Sequence, residues 1–389
     1  MKISILTPDL SHNCLGRAYL LAKILQRHYD VEIVGPIFGE GIWEPVENDK
    51  SIIYKYVKVY GRLKPYWQIG KLIKKIDGDV IYASKPLFSS FGIGSLKKIL
   101  KRKPLILDID DWQMGLIKES YNNLSFFREL KSSISSTVFL YNTSSYWNNF
   151  FGEKIASFAN EITVSNRFLQ EKFGGEIVWH ARDTGLFSPE KFDKDLLREK
   201  YKIEKTKKVI MFFGTPRAHK GIEDLIEAMN LIQDKDVLLM IVGIDLNDYY
   251  CKKIIKNAQN LLDRERFIWF YLQPFEKVPE ILTLADVIVI PQRKSFAAVG
   301  QMPAKVFDAM ALAKPIIATN VSDLPEVLEN CGIIVEPENP EELAKKIQYL
   351  LINPEKAKEM GNKAREKCKA KYSFDAMEKV LVKIFQKYE

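Results

Sequence analysis

Along the chain, short apolar runs alternate with stretches whose apolar residues recur at helical spacing. The first run is residues 3–6. A loop over residues 7–17 follows, then Tyr19, Leu20, Ala22, Ile24 and Leu25 on one helical face, then a second run at residues 31–34. This order predicts a βαβ unit whose first loop lies at the carboxyl end of a strand, where open α/β sheets bind ligands. Residues 52–59 alternate like a strand with one exposed face, and residues 80–83, 105–107, 162–164 and 177–178 predict further short strands. The pattern repeats with runs at 209–213, 238–242, 267–272, 287–290, 316–318 and 333–335, separated by helical segments. Such alternation implies parallel sheets covered on both faces, so the expected class is α/β with two Rossmann-like domains.

Two strand–loop–helix junctions carry the candidate chemistry. After residues 209–213 comes Gly214-Thr-Pro-Arg-Ala-His-Lys-Gly221, followed by Ile222, Leu225, Ile226 and Met229 at helical spacing. Arg217 and Lys220 stand three apart in a loop of small residues, a spacing that lets two cations clamp a diphosphate by charge-assisted bonds. The second junction, residues 300–319, sets a Gly/Pro loop against a helix and then a buried strand. Pro303 suits a first helical position, the backbone N–H groups of Ala304 and Lys305 are expected to face an anion, and Asp308 in the first turn can accept bonds from ribose hydroxyls. The alternative for Asp308 is a purely structural one, since an acid there is worth ~0.3–1 kcal/mol against the helix dipole without any ligand.

With these residues in place, the chain resembles the family 4, or group 1, retaining glycosyltransferases of GT-B fold, over residues 2–387 and most densely over 209–335. The family carries a Gly followed six residues later by Lys-Gly, matched here by Gly214, Lys220 and Gly221, although Thr215 stands where its Arg is usual and Arg217 comes later. It also carries two Glu separated by seven residues. Asp308 matches the second, on the ribose, whereas the first falls on Gly300, so the sugar-side acid is missing. Leu15-Gly16 is a degraded match to the family's paired glycines facing the donor phosphates, and Gln273 falls where the family binds the base through backbone groups. The resemblance implies two domains facing across a cleft: residues 1–178 on the acceptor side and 179–374 for the donor, with a last helix, 375–389, returning to the first domain.

Asp108-Ile-Asp-Asp111 after the fifth strand is open to two readings. In the GT-A fold an Asp-x-Asp at such a place holds a divalent metal. By the group 1 resemblance Asp110 instead occupies the place of an active-site His facing the reacting sugar, and the expected catalytic set is Asp110, Arg217 and Lys220. No metal and no cofactor is then expected, the nucleotide-diphosphate sugar serving as co-substrate. A non-catalytic nucleotide-sugar-binding protein and a sugar-nucleotide epimerase on the same architecture remain the alternatives to a hexosyltransferase acting on a sugar or lipid-linked acceptor.

Composition narrows the class further. The 389 residues are 47% hydrophobic and 28% charged with a net charge of +8, the profile of an ordinary globular protein and not of a disordered or fibrous one. The four cysteines are scattered with no C-x-x-C pair, which argues against a disulfide framework or a zinc site. No apolar run approaches a membrane span and residues 1–7 read as a strand, so a cytoplasmic location and no nucleic-acid partner are expected. Residues 95–103 set Leu96, Ile99 and Leu100 on one helical face among five cations, and Lys71, Lys74 and Lys75 lie on a second basic helix. Either this is a peripheral dock for an anionic membrane inner face, or the apolar side packs on its own sheet. Aromatic residues between Glu119 and Phe158 read as core packing or as an acceptor pocket.

Overall fold

The computed structural model describes residues 1–59, 64–121 and 145–389. It forms two compact units: Met1–His180 with Val299–Met302 and Met377–Glu389, and Ala181–Ala298 with Pro303–Ala376.

In the first unit the strands β1 (Lys2–Leu6), β2 (Asp30–Ile37), β3 (Ile53–Lys58), β4 (Val80–Ser84), β5 (Leu105–Ile109), β6 (Glu161–Val164) and β7 (Glu176–Ile177) form one sheet. The order is β3-β2-β1-β4-β5-β6-β7 and every pairing is parallel. Central β4 is buried along its whole length, as a strand covered on both faces must be, whereas edge strand β3 leaves Ile53 exposed and buries Val57. The chain moves outward from β1 to β3 and then returns to β4. The β1/β4 boundary is therefore a switch point, where a crevice opens at the carboxyl ends of the strands.

One sequence expectation needs correction here, and one of two open readings drops out. The first helix begins at Leu15 rather than after Arg17, so the loop after β1 is shorter than expected. The basic helix Ile93–Lys101 does not pack its leucines on the sheet. Leu96, Ile99 and Leu100 are 37%, 65% and 63% exposed, while Ile93, Gly94, Ser95 and Lys97 are buried. The reason is close approach: a Cβ on Gly94 would stand 2.9 Å from the Leu105 side chain, so the helix meets the sheet through its small residues and turns the leucines outward. The last helix, Phe374–Phe385, contributes to the first unit from Met377 onward. Its Phe385 ring lies 5.4 Å from Tyr82 and 5.9 Å from Tyr29, and Glu378 pairs with Arg27 and His28.

The second unit holds β8 (Lys208–Phe213), β9 (Val237–Ile244), β10 (Phe267–Tyr271), β11 (Val287–Ile290), β12 (Ile316–Thr319) and β13 (Ile333–Val335) in the order β10-β9-β8-β11-β12-β13. All pairings are again parallel, and the switch point lies between β8 and β11. Strand β9, eight residues without a polar side chain, is buried throughout. It packs with Ile222, Leu225, Ile226 and Met229 of the helix Ile222–Leu231, the residues whose spacing predicted that helix.

Candidate functional site

The loop leaving β8 at the second switch point is shaped by two glycines. Gly214 has φ +121°, and Lys305 occupies the space a side chain there would fill, its Cε only 1.5 Å from an ideal Cβ. Gly221 has φ +61°, and a Cβ would stand 1.9 Å from the Pro291 carbonyl oxygen. Both conformations disfavour residues with a Cβ. Between them, Ala218–Lys220 makes one 3-10 turn, Arg293 N–H donates to the His219 carbonyl at 2.9 Å, and Lys220 Nζ donates to the Thr215 carbonyl at 2.7 Å. Arg293 is itself held by the Asp224 carboxylate, so the loop is braced from β11.

Lys305 lies beside Lys220. Burial lowers its pKa below the usual lysine value, the Asp308 charge working the other way and Arg182 adding to the shift. Two ammonium groups next to each other, one of them poorly solvated, make a place where an anion gains more than it would in water. The N–H groups of Ala304 and Lys305 donate to no backbone carbonyl among the described residues. Pro303 is not the first helical residue as expected: the helix is Lys305–Ala311, capped at Ala304. Asp308 sits in its first turn and is 4% exposed, with Arg182 bonded to both carboxylate oxygens. Sequence reasoning assigned Arg182 no role, because it lies just past the expected domain boundary and outside both strand–loop–helix junctions. Arg217, half exposed, pairs with Asp248. Gln273 follows β10 and folds its amide back on the Tyr271 carbonyl at 3.0 Å.

A second cluster lies in the first unit at the β1/β4 switch point. Asp108, at the end of β5, receives Arg17 Nε at 2.9 Å and Nη2 at 2.8 Å, and Arg17 also donates to the carbonyls of Val178 and Trp179. Asp108 is thereby committed to a buried ion pair. Asp110 and Asp111 share the ammonium of Lys85, at 2.6 and 2.7 Å. Gln301 Nε2 donates to the other Asp111 oxygen at 2.9 Å. Burial pushes the Asp110 carboxyl up, to about 6, with Lys85 opposing the shift and Asp111 and Asp108 adding to it. For Asp111 burial is outweighed by Lys85 and Gln301, which hold it below the usual carboxylate range. Lys85 was missed in the sequence, where its signal was a lone cation directly after a fully buried strand.

Gly300, where the sequence lacks an acid, now has a physical account: a Cβ would stand 2.2 Å from Trp112 Cβ, and Trp112 N–H donates to the Gly300 carbonyl at 3.0 Å. No carboxylate fits at that position. Gly16 lies in the first turn of the helix Leu15–Leu25, with the Trp43 ring 3.3 Å from where its Cβ would be. His12 is mostly exposed, 3.6 Å from Asp9. Of the aromatic segment, Phe126, Phe127, Phe139 and Tyr141 lie outside the described residues. Tyr146, Trp147, Phe150 and Phe151 pack on one another along the helix Tyr146–Lys154.

Residues 193–367 match the family described as glycosyl transferases group 1. Alpha-D-kanosaminyltransferase of Streptomyces kanamyceticus is 27% identical over 49% of this chain and 48% of its own length. An uncharacterized glycosyltransferase of Methanocaldococcus jannaschii is 28% identical over 96% of this chain and 95% of its own. The first-named relative is thus matched over about half its length. Among solved structures, Anabaena HepE in complex with UDP and glucose aligns over 100% of both chains with a TM-score of 0.76 at 18% identity. Sucrose-phosphate synthase of Thermosynechococcus elongatus aligns over 100% of this chain and 98% of that one, with a TM-score of 0.73 at 17% identity. These likenesses establish the fold as GT-B, and with it the GT-A setting for an Asp-x-Asp metal site falls away. What the chain shares with the group 1 glycosyl transferases is the match over residues 193–367.

Proposed function

We propose that the protein transfers a sugar from a nucleotide-diphosphate donor to a hydroxylated acceptor with retention of configuration, the second unit binding the donor and the first serving the acceptor. The observation that carries this reading is the Lys220–Lys305 pair over Gly214 at the β8/β11 switch point. Together with Arg217 and the N–H groups of Ala304 and Lys305, it would neutralise charge growing on the departing diphosphate, the step where preorganised electrostatics contribute most. Asp308, oriented by Arg182, would accept the ribose hydroxyls. The chemistry proposed needs no metal, since Asp108, Asp110 and Asp111 already carry protein cations.

The test is a thermal-shift panel of UDP-, GDP-, ADP- and dTDP-sugars, followed by NMR of the product anomer. Stabilisation by one nucleotide class and an axial-to-axial or equatorial-to-equatorial outcome are expected. No shift with any nucleoside diphosphate at millimolar concentration refutes the donor site, and conversion of the donor sugar without acceptor identifies an epimerase. Slow donor hydrolysis alone, whatever acceptor is offered, would leave the binding-protein alternative.

For the acceptor, the exposed face of the helix Ile93–Lys101 favours a lipid-linked molecule reached by peripheral docking on an anionic membrane inner face. Leu96, Ile99 and Leu100 are exposed together with Lys101 and Arg102, and Lys71, Lys74 and Lys75 are exposed on the helix Lys64–Lys74 and its end. Each cation near such a surface is worth ~1 kcal/mol. Of the five cations counted in the sequence, Lys97 and Lys98 are engaged elsewhere, their Nζ atoms bonded to the Ile73 and Phe158 carbonyls. No helix among the described residues is long and apolar enough to cross a membrane. Sedimentation with anionic vesicles at low salt, lost in Leu96→Ser/Leu100→Ser, is the expected result; equal sedimentation of that variant removes the dock.

A further inference from the structure

Resting on the reading of the protein as a sugar-transferring enzyme, we propose that Lys85 is a positioning residue of the first unit. It holds the Asp110 and Asp111 carboxylates side by side, so that Asp110 Oδ2 and the third N–H of the Lys85 ammonium form an acceptor–donor pair for a hydroxyl of a bound sugar.

The geometry supports this from several sides. Lys85 is 5% exposed and adopts φ +67°, a left-handed backbone rare for a residue with a Cβ and kept only where its surroundings impose it. The turn is pinned by Lys85 N–H to the Asp108 carbonyl at 2.7 Å, and the Lys85 carbonyl accepts Leu87 N–H at 2.8 Å and Ser90 Oγ at 2.9 Å. This directs a side chain leaving the end of β4 across to the end of β5. Of the four carboxylate oxygens, Asp110 Oδ1 and Asp111 Oδ2 take Lys85, and Asp111 Oδ1 takes Gln301. Asp110 Oδ2 takes no hydrogen bond among the described residues, and it is not among their buried unsatisfied atoms. One oxygen and one N–H are left over, adjacent, at the crevice where parallel sheets bind ligands.

Charged groups of neighbouring elements among the described residues also bear on the pair. Arg17, on the helix Leu15–Leu25, is neutralised by Asp108, and the thiol of half-buried Cys14 is pushed up to about 12 by desolvation, with Lys85 opposing the shift and Asp9 and Asp110 adding to it. His180 reaches Asp111 electrostatically. Lys85 is thus the cation that keeps two adjacent carboxylates, Asp110 buried and Asp111 partly exposed, from repelling one another into protonation.

The experiment compares wild type, Lys85→Met, Lys85→Arg and Asp110→Asn by three readouts. These are UDP affinity, the pH profile of turnover with UDP-glucose or whichever sugar nucleotide of the panel binds best, and carboxyl ¹³C NMR titration. Asp110→Asn identifies the Asp110 signal. Lys85→Met should leave UDP affinity within about twofold, lower turnover by roughly tenfold or more, and move both the acid limb and the Asp110 titration to higher pH. Lys85→Arg should keep the limb close to its wild-type position. An unmoved Asp110 titration in Lys85→Met, or wild-type turnover, overturns the proposal. If Lys85→Met does not fold, Asp110→Asn decides, since turnover within threefold of wild type there overturns it as well. Failure of wild type to bind any nucleoside diphosphate instead refutes the donor reading, and the NMR titration still tests Lys85.

Discussion

Replacing Gly214 by Ala is the sharpest probe of the donor loop, because the same methyl group should affect stability and binding through different neighbours. The residue has φ +121°, where an L side chain is strained by ~1–3 kcal/mol, and this lowers Tm by roughly 2–4 °C per kcal/mol for a domain of this size. The atoms met by the new Cβ are Cε and Nζ of Lys305, at 1.5 and 2.0 Å. These belong to the end of a flexible side chain, so Lys305 can swing away without further cost to the fold. The ammonium then leaves its place beside Lys220, and one charge-assisted bond to a diphosphate is lost, ~1.5–3 kcal/mol or roughly tenfold to a hundredfold in affinity. Gly221→Ala differs: its methyl meets the Pro291 backbone carbonyl at 1.9 Å, which cannot swing. Its stability loss should exceed that of Gly214→Ala. Urea denaturation followed by calorimetric titration with UDP separates the two effects. If Gly214→Ala binds UDP as tightly as wild type while Lys305→Ala does not, the seating of Lys305 over Gly214 has no part in the cradle.

Lys220→Ala should lower UDP affinity roughly tenfold to a hundredfold with little change in Tm, and an unchanged calorimetric Kd would remove Lys220 from the site. Burial lowers the Lys305 pKa, and a bound diphosphate must raise it. UDP affinity should therefore be flat at low pH, fall once pH passes the free-state value below 10.5, and be accompanied by proton uptake in that window; titrations in two buffers of different ionisation heat check the sign. Arg17→Met should destabilise the first unit by ~3–5 kcal/mol because it strands the Asp108 carboxylate, 0% exposed, without its cation, and denaturation within 1 kcal/mol of wild type, on that ~3–5 kcal/mol scale, would contradict the buried-pair account.

Much of the fold was legible because parallel strands covered on both faces leave continuous apolar runs, and β8, β9, β11 and β12 are such runs. Local chemistry was legible for the same kind of reason. A Gly directly after a strand and a Lys-Gly just before a helix are sequence-local, and residues 214–221 form one loop. What the chain order hides is which loops meet. Lys305 fills the space of an absent Gly214 side chain, Arg182 binds Asp308, and Lys85 crosses from β4 to Asp110 and Asp111. Each joins residues brought together only by the sheet order, and no spacing rule reaches across a crossover. The leucines of the helix Ile93–Lys101 make the same point from packing. Their pattern established an amphipathic helix, but which face met the sheet depended on Gly94 and Ser95 allowing a closer approach than the leucines could, a matter of shape that only the tertiary structure decided.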